Sequence, residues 1–295
     1  MEFFFDFIRH TIQQLVQQGL LPESLKYSFV INALLAALMS GPILGFIGTT
    51  VVSKRMAFFS SAIGNATLTG IAIGILLGEP VQAPYISLFS FAVLFAILLN
   101  FLRHRTNMSN DTLIGVFLAA SLAIGSTLVL AITRDINLHT LDEFLFGNIL
   151  TLTTVDLTLL FFTSLATLAA GIFGFNYIML SGLNPSLAHV RKVPVKTVNY
   201  LFVVFIALIT VASVKVIGAV LVQALLVIPA ASAANVSKSL KGFTFYSTLF
   251  ATISAAAGIL IPAEMELNIP SGGAIIIAAT IIFIATFYIK LLKKF

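Results

Sequence analysis

Few residues in this sequence could do chemistry, and where they fall says more than how many there are. There is no Cys, which excludes disulfides and thiolate metal sites. The four histidines, His10, His104, His139 and His189, fall in predicted loops or at predicted helix ends, and no two sit at a metal-binding spacing. No G-x-x-x-x-G-K-[ST] run and no H-E-x-x-H run occurs, so the chain has no phosphate-cradling loop of its own. No long apolar run holds a Ser/His/Asp set or a carboxylate pair suited to catalysis. Asp156 and Lys215 come closest to lying inside such a run, and both fall near its end. That position disfavours a proton-driven pump with a buried carboxylate. Gln223 precedes Pro229 within another run; it either lines a pathway or stitches two helices, and stitching is the expectation. Glu264 and Glu266 fall in a loop, as solvated turn residues or as contacts for a delivering protein.

The elements that must position these residues follow from composition. Of the 295 residues, 59% are hydrophobic and 9% charged, against roughly 25% charged in soluble domains. The mean hydropathy of +1.08 leaves no room for a sizeable soluble domain. The net charge of +5 would suggest nucleic acid in a soluble protein, but here the basic residues sit in short loops between apolar runs. A helix needs about 20 apolar residues to cross the hydrocarbon core. Nine such runs are predicted, at 27–52, 56–78, 84–102, 112–133, 155–180, 197–214, 216–236, 243–262 and 270–289. The segments 1–26 and 141–153 are weaker. In the first, Phe3, Phe4, Phe5, Ile8 and Ile12 alternate with Arg9, His10, Gln13 and Gln14, which suits a helix lying at the membrane surface and not a cleaved signal peptide. The fold class expected is all-α, a polytopic transmembrane bundle.

Orientation follows from Lys and Arg. With the start outside and strict alternation, twelve of the 16 basic residues fall inside and only Arg9, Lys26, Arg134 and Lys215 outside. The spans also carry small residues and helix breakers: Gly41-Pro42, Gly45 and Gly48, then Gly64, Gly70 and Gly74, then Pro229. Small residues let helix backbones approach closely, and Pro frees carbonyls that need partners within the protein.

One inner loop is shaped. In 181–196, Asn184 is a good N-cap and Pro185 suits the first helical position. Leu187, Ala188 and Val190 continue for about two turns until Pro194 stops the helix. Such a protrusion, carrying Arg191 and Lys192, reads either as a surface helix or as a coupling helix entering a groove on a cytosolic partner.

The chain resembles the integral membrane permeases of zinc and manganese ABC transporters, over residues 30 to 289. The stretch Arg55 to Gly70 looks like R-x-A-L-x-G-D-A-L-S-H-A-x-L-P-G. Asn110-Asp111-Thr112 to Gly115 looks like E-D-x-x-I-G, and Leu145 to Leu150 matches L-F-G-N-I-L. Asn184-Pro185 to Pro194 is similar to the coupling loop D-P-x-x-A-x-x-x-G-x-P. Val216 to Ala233 is similar to V-G-x-L-L-V-x-A-L-L-I-I-P-A-A-x-A, and Pro270-Ser271-Gly272 to P-T-G. The resemblance implies a transmembrane permease domain over 27–295 in the cell (inner) membrane, and a second permease copy or paralogue. It also implies a cytosolic ATP-binding subunit docked through Asn184, Pro185, Leu187, Ala188 and Arg191, and an extracytoplasmic metal-binding protein. The permease itself would be no enzyme and would bind no cofactor, with Mn²⁺ or Zn²⁺ as cargo.

The departures carry information. The D-x-x-x-H pair of the resemblance aligns with Ser61 and Asn65, spaced i, i+4 on one helix face. Carboxylate suits Mn²⁺ and imidazole suits Zn²⁺, and a hydroxyl and an amide bind a divalent ion less well than either. Three explanations stand: a second permease retains Asp and His, weaker oxygen ligands including Ser60, Thr67 and Thr69 carry the metal transiently, or the path serves another solute. Against these, Ser61 and Asn65 would simply hydrogen-bond between helices. Asn184 and Lys192 replace the Asp and Gly of the coupling loop. Function is therefore expected to be metal-ion import; the alternatives are an ABC permease for a non-metal solute and a non-transporting membrane anchor for an ATPase or receptor.

Overall fold

Backbone polar groups have no water to bond in hydrocarbon, so an apolar run long enough to span must close its hydrogen bonds internally as a helix. The computed structural model describes residues 2–80, 84–106, 108–132, 152–183, 185–265 and 271–292. Among these, nine helices are long and apolar enough to cross a membrane. They are α2 (Ser28–Ser53), α3 (Phe59–Leu76), α4 (Tyr85–Arg105), α5 (Asn110–Ile132), α6 (Thr154–Leu183), α8 (Val195–Ile217), α9 (Ala219–Val236), α10 (Leu240–Glu264) and α11 (Ser271–Leu292). Two further helices are α1 (Glu2–Gln17) and the short α7 (Pro185–Val190). Every predicted span is matched by a helix, and no strand occurs among the described residues. The motif at Leu145–Leu150, most of the weak segment 141–153, and Asn184, Glu266 and Pro270 lie outside the described residues.

The most buried spans are α2, α3 and α8; α5, α6 and α11 present most of their surface outward. Helix α2 is central and packs on α6, α8, α9 and α10. Helix α3 packs on α4 and α5, with α8 and α9 behind it.

Small residues decide how closely these helices approach. Gly41 and Gly45 face Ala255 and Ala251 of α10, and a Cβ on Gly45 would lie 2.7 Å from both the Ala251 Cβ and the Ser247 carbonyl oxygen. The Ser247 hydroxyl donates to the Gly45 carbonyl at 2.6 Å. Farther along the same face of α2, a Cβ on Gly48 would lie 2.1 Å from the Leu226 carbonyl oxygen of α9. Two small-xxx-small faces thus interlock, the arrangement that lets van der Waals packing hold helices together in lipid. Other hydroxyls along the spans bond to their own helix: Ser40 donates to the Ala36 carbonyl and Thr252 to the Thr248 carbonyl, both at 2.8 Å.

A single residue, Gly218, joins α8 to α9. Its φ of 88° and ψ of 153° fall in a region open essentially to glycine alone.

The N-terminal segment forms a helix and a turn. Phe5 of α1 is fully buried, and Arg9 Nε donates to Asn32 Oδ1 at 2.8 Å while its Nη1 bridges Asp6 at 2.7 Å. Phe3, Phe4 and Phe7 point away from the bundle and are exposed. The Ser24 amide donates to Glu264 Oε2 at 3.3 Å, tying the turn to the end of α10.

Gly48→Val will overpack the α2–α9 contact and destabilise the chain by about 1–3 kcal/mol. Gly115→Ala on α5, where a Cβ meets nothing within 4 Å, will stabilise it by up to about 1 kcal/mol. Thermal unfolding of the detergent-solubilised protein compares the two; equal midpoints would remove the role given to Gly48.

Candidate functional site

From Phe59 to Ala72, every residue of α3 is buried except Ser61 and Asn65. These two are half-buried and share one face, so the helix opens only at the i, i+4 pair singled out by sequence. Neither side chain has a hydrogen-bond partner among the described residues. Among the described residues, hydrogen bonds from this pair to another helix, the alternative to a place on a pathway, are not seen, and their polar atoms are left available there.

The neighbouring oxygens do not join that face. Ser60 is 1% exposed with an unpartnered hydroxyl, Thr67 donates to the Gly64 carbonyl, and Thr69 donates to the Ser121 carbonyl of α5 at 3.2 Å. The Ser121 hydroxyl returns to the Ala62 carbonyl at 3.4 Å. All three are buried, and Thr67 and Thr69 give their hydroxyl protons to backbone carbonyls, so an extended oxygen ligand set built from Ser60, Thr67 and Thr69 does not form. Among the described residues, no group of three or more His, Asp or Glu side chains could hold a metal ion.

Gln223 on α9 is also half-buried and has no hydrogen-bond partner among the described residues, against the expectation of stitching. It belongs to a stripe of open positions, Val220, Gln223, Ala224, Val227, Ile228 and Ala231, that recurs every three to four residues. Helices α3 and α9 meet at Gly64 and Ala219, where a Cβ on Gly64 would lie 3.2 Å from the Ala219 Cβ. Ser61 sits about one turn before that contact and Gln223 one turn after it. The geometry thus places three unengaged polar side chains on adjoining helices, each on a half-open face.

The charged pair near the predicted outer ends is fully engaged. Asp156, 5% exposed, accepts from Tyr85 Oη at 2.8 Å, from the Thr153 amide at 3.1 Å and from its hydroxyl at 2.6 Å. Lys215 Nζ lies 2.9 Å from its Oδ1 and 3.8 Å from the Tyr85 ring centroid. One carboxylate therefore ties α4, α6 and α8, with no lone pair turned toward a path. Sequence reasoning placed both charges near helix ends but gave no sign that they meet.

At the other end, α7 projects between α6 and α8. Pro185 opens it. Ala188 is 0% exposed, whereas Leu187 is 44% and Val190 82% exposed, and Arg191 is exposed beyond them. Ala188 thus anchors the helix to its own chain and cannot touch a partner, which corrects its reading as a docking contact; Val190 takes its place on the outward side. The helix ends with the Val193 amide donating to the Ala188 carbonyl and the Lys192 amide to the His189 carbonyl, both at 3.0 Å. This is the paired closure of a Schellman motif. Its closing position is Lys192, with φ of 54°. That explains why the resembling loops carry Gly there. Exposed Arg55, Arg105, Lys192, Lys196, Lys238 and Lys241 occupy the same predicted inner side.

The comparisons with known proteins agree with this layout. The family described as ABC 3 transport family matches residues 26–290. A manganese transport system membrane protein, MntC, of Halalkalibacterium halodurans is 30% identical over 90% of this chain and 89% of its own. The high-affinity zinc uptake system membrane protein ZnuB of Haemophilus influenzae is 26% identical over 86% of this chain and 97% of its own. Among solved structures, PsaBC from Streptococcus pneumoniae, in complex with Fab, superposes with a TM-score of 0.76 at 28% identity, covering 89% of this chain and 92% of that one.

Lys192→Gly will relieve a left-handed backbone costing about 1 kcal/mol at the end of α7. Amide exchange of residues 188–193 will slow about fivefold, read by mass spectrometry; unchanged or faster exchange would remove the strain assigned to Lys192.

Proposed function

The chain belongs to the ABC 3 transport family, and from that premise we propose that it is the permease subunit of an importer of divalent metal ions. It works in the cell (inner) membrane, is powered by a separate cytosolic ATPase, is paired with a second permease copy or paralogue, and receives its cargo from an extracytoplasmic metal-binding protein. The observation that carries this reading is the likeness, over about nine-tenths of the chain, to membrane proteins named for manganese and zinc transport. Two features of the chain support it. Helix α7 presents Leu187, Val190 and Arg191 outward from a buried anchor, as a docking element must. No phosphate-cradling loop occurs in the sequence, which agrees with hydrolysis by another subunit and no enzyme activity here.

Ser61, Asn65 and Gln223 line the path in this reading. All offer oxygen and none offers imidazole or charge. Oxygen donors suit Mn²⁺ better than Zn²⁺, whose preferred ligands are nitrogen and sulfur. We therefore assign manganese as the better fit, passed along by weak contacts, with no cofactor resident in the chain. The amphipathic α1 lies at the membrane surface, with Phe3, Phe4 and Phe7 turned toward lipid. A second reading, carriage of an uncharged polar solute by the same architecture, is favoured by the neutrality of the Ser61–Asn65 face alone.

In vesicles holding the permease, its ATPase and its binding protein, ATP will drive uptake of ⁵⁴Mn in preference to ⁶⁵Zn. Ser61→Asp with Asn65→His will increase metal retained by the complex at least tenfold. Absence of ATP-dependent uptake of either metal would reject metal import and leave the uncharged-solute reading.

Docking is tested separately. Leu187→Asp will abolish co-purification of the ATPase without lowering the yield of the permease; full retention of the ATPase would remove α7 as its docking element.

A further inference from the structure

Lys54 directly follows the last residue of α2, yet it is 8% exposed. Its Nζ donates to Asn199 Oδ1 at 2.7 Å and to Ser181 Oγ at 3.2 Å. It also lies 4.7 Å from the Phe202 ring centroid. Ser181 belongs to the last turn of α6 and Asn199 to the second turn of α8. These are the two arms from which α7 projects, so one ammonium holds both. The aliphatic stem is held as well: a Cβ on Gly182 would come within 2.9 Å of Lys54 Cγ and 3.0 Å of its Cε.

Stability does not explain this arrangement. Both oxygen partners are uncharged, and the Arg103 guanidinium at the end of α4 adds repulsion. A buried cation balanced only by neutral dipoles costs folding free energy that an apolar side chain of the same length would not.

On its other side, Lys54 leads into α3 through a short, tightly bonded turn. Arg55 has a φ of 54°, and the Met56 amide donates to the Val51 carbonyl at 3.0 Å. Met56 is 1% exposed, and its Sδ accepts from Arg103 Nη1 at 3.0 Å. The Phe59 amide donates to the Met56 carbonyl at 3.0 Å, and the fully buried Phe59 opens α3 two residues before Ser61. A displacement of α7 therefore has a continuous path of packed and bonded atoms to the face that carries Ser61 and Asn65.

We propose that Lys54 is the positioning residue that links the docking helix α7 to the pathway helix α3, converting movement of the α6–α7–α8 strap into movement at Ser61 and Asn65. This rests on the permease reading above. It gives Lys54 a role in neither docking nor cargo contact.

Burial, with the Arg103 charge second, lowers the Lys54 pKa from 10.5 to about 8. The groups facing it are Ser181 and Asn199, both uncharged, and Arg103. The lysine is charged below about pH 8 and loses its charge above it, so the grip weakens as pH rises through that value.

The test uses the complete transporter in vesicles and reads ⁵⁴Mn moved per ATP hydrolysed. Lys54→Met keeps the stem and removes the ammonium. With ATPase co-purification and thermal midpoint near wild type, hydrolysis will stay within twofold while metal moved per ATP falls at least tenfold. Asn199→Leu, which removes the closer acceptor from the opposite side, will give the same loss, and the double variant will be no worse than either. In the wild type the ratio will fall between pH 7 and 9, whereas Lys54→Arg, charged throughout, will hold it flat. An unchanged ratio in both single variants, or hydrolysis and uptake falling together, would overturn the link. A second readout is independent of the cargo: ATP-dependent change in amide exchange over residues 59–65, present in the wild type and absent in Lys54→Met. If the wild type moves no metal, the import reading fails, and this exchange difference alone decides for or against Lys54.

Discussion

Bare backbone meeting bare backbone at Gly45 and Gly48 is the contact on which the bundle depends. Lipid tails are as apolar as leucine, so no hydrophobic force drives one helix against another inside the membrane. What remains is close packing and the occasional hydrogen bond, and both need short distances. The Ser247–Gly45 bond at 2.6 Å exists because neither glycine nor the facing alanines stand in its way. With one face of α2 held against both α9 and α10, its inner end becomes a rigid post. The turn at 55–58 is where any motion of the strap must be taken up.

Lys54 and Lys215 show how differently a charge can be used: the first is buried and the second half-buried. Lys215 meets a carboxylate and a tyrosine ring, so its desolvation is largely offset and the assembly acts as a fixed knot. Lys54 meets an amide, a hydroxyl and the face of the Phe202 ring, all uncharged. Neutral acceptors hold a cation more weakly and release it more easily, which suits a contact that must give way and reform during a transport cycle. The knot fixes one end of α4, α6 and α8, while at the other end α6 and α8 are held by Lys54 and α4 by the Arg103–Met56 contact.

The spans were legible in the sequence because length and apolarity suffice to define them. Their ends were less so: α4 runs on to Arg105 and α8 to Ile217, past the predicted 102 and 214. Long basic side chains keep their heads polar while their backbone stays helical, and hydropathy discounts them. The i, i+4 pairing of Ser61 and Asn65 was legible from spacing alone. Which way that pair faced was not, since it depends on how the neighbouring helices bury the rest of α3. Lys54 was counted among the solvated loop cations; its burial requires room at Gly182 and an acceptor at Asn199, residues more than a hundred positions away. Ala188 was misassigned for the same reason: a two-turn helix does not reveal which side its neighbours cover.

The neutral face on α3 bears on how a permease can be driven from outside. A path that binds its cargo tightly must be given back that binding energy before release, whereas conduction favours sites weak enough to leave. Ser61, Asn65 and Gln223 supply polarity without a strong hold, so within the proposed function little of the driving force is consumed in freeing the ion. Selectivity must then come largely from what delivers the cargo and from the second permease, and this chain contributes a gate more than a filter. A gate needs a mechanical connection to its motor. In the proposed coupling that connection is Lys54, the buried cation that bonds α6 and α8 and leads into α3.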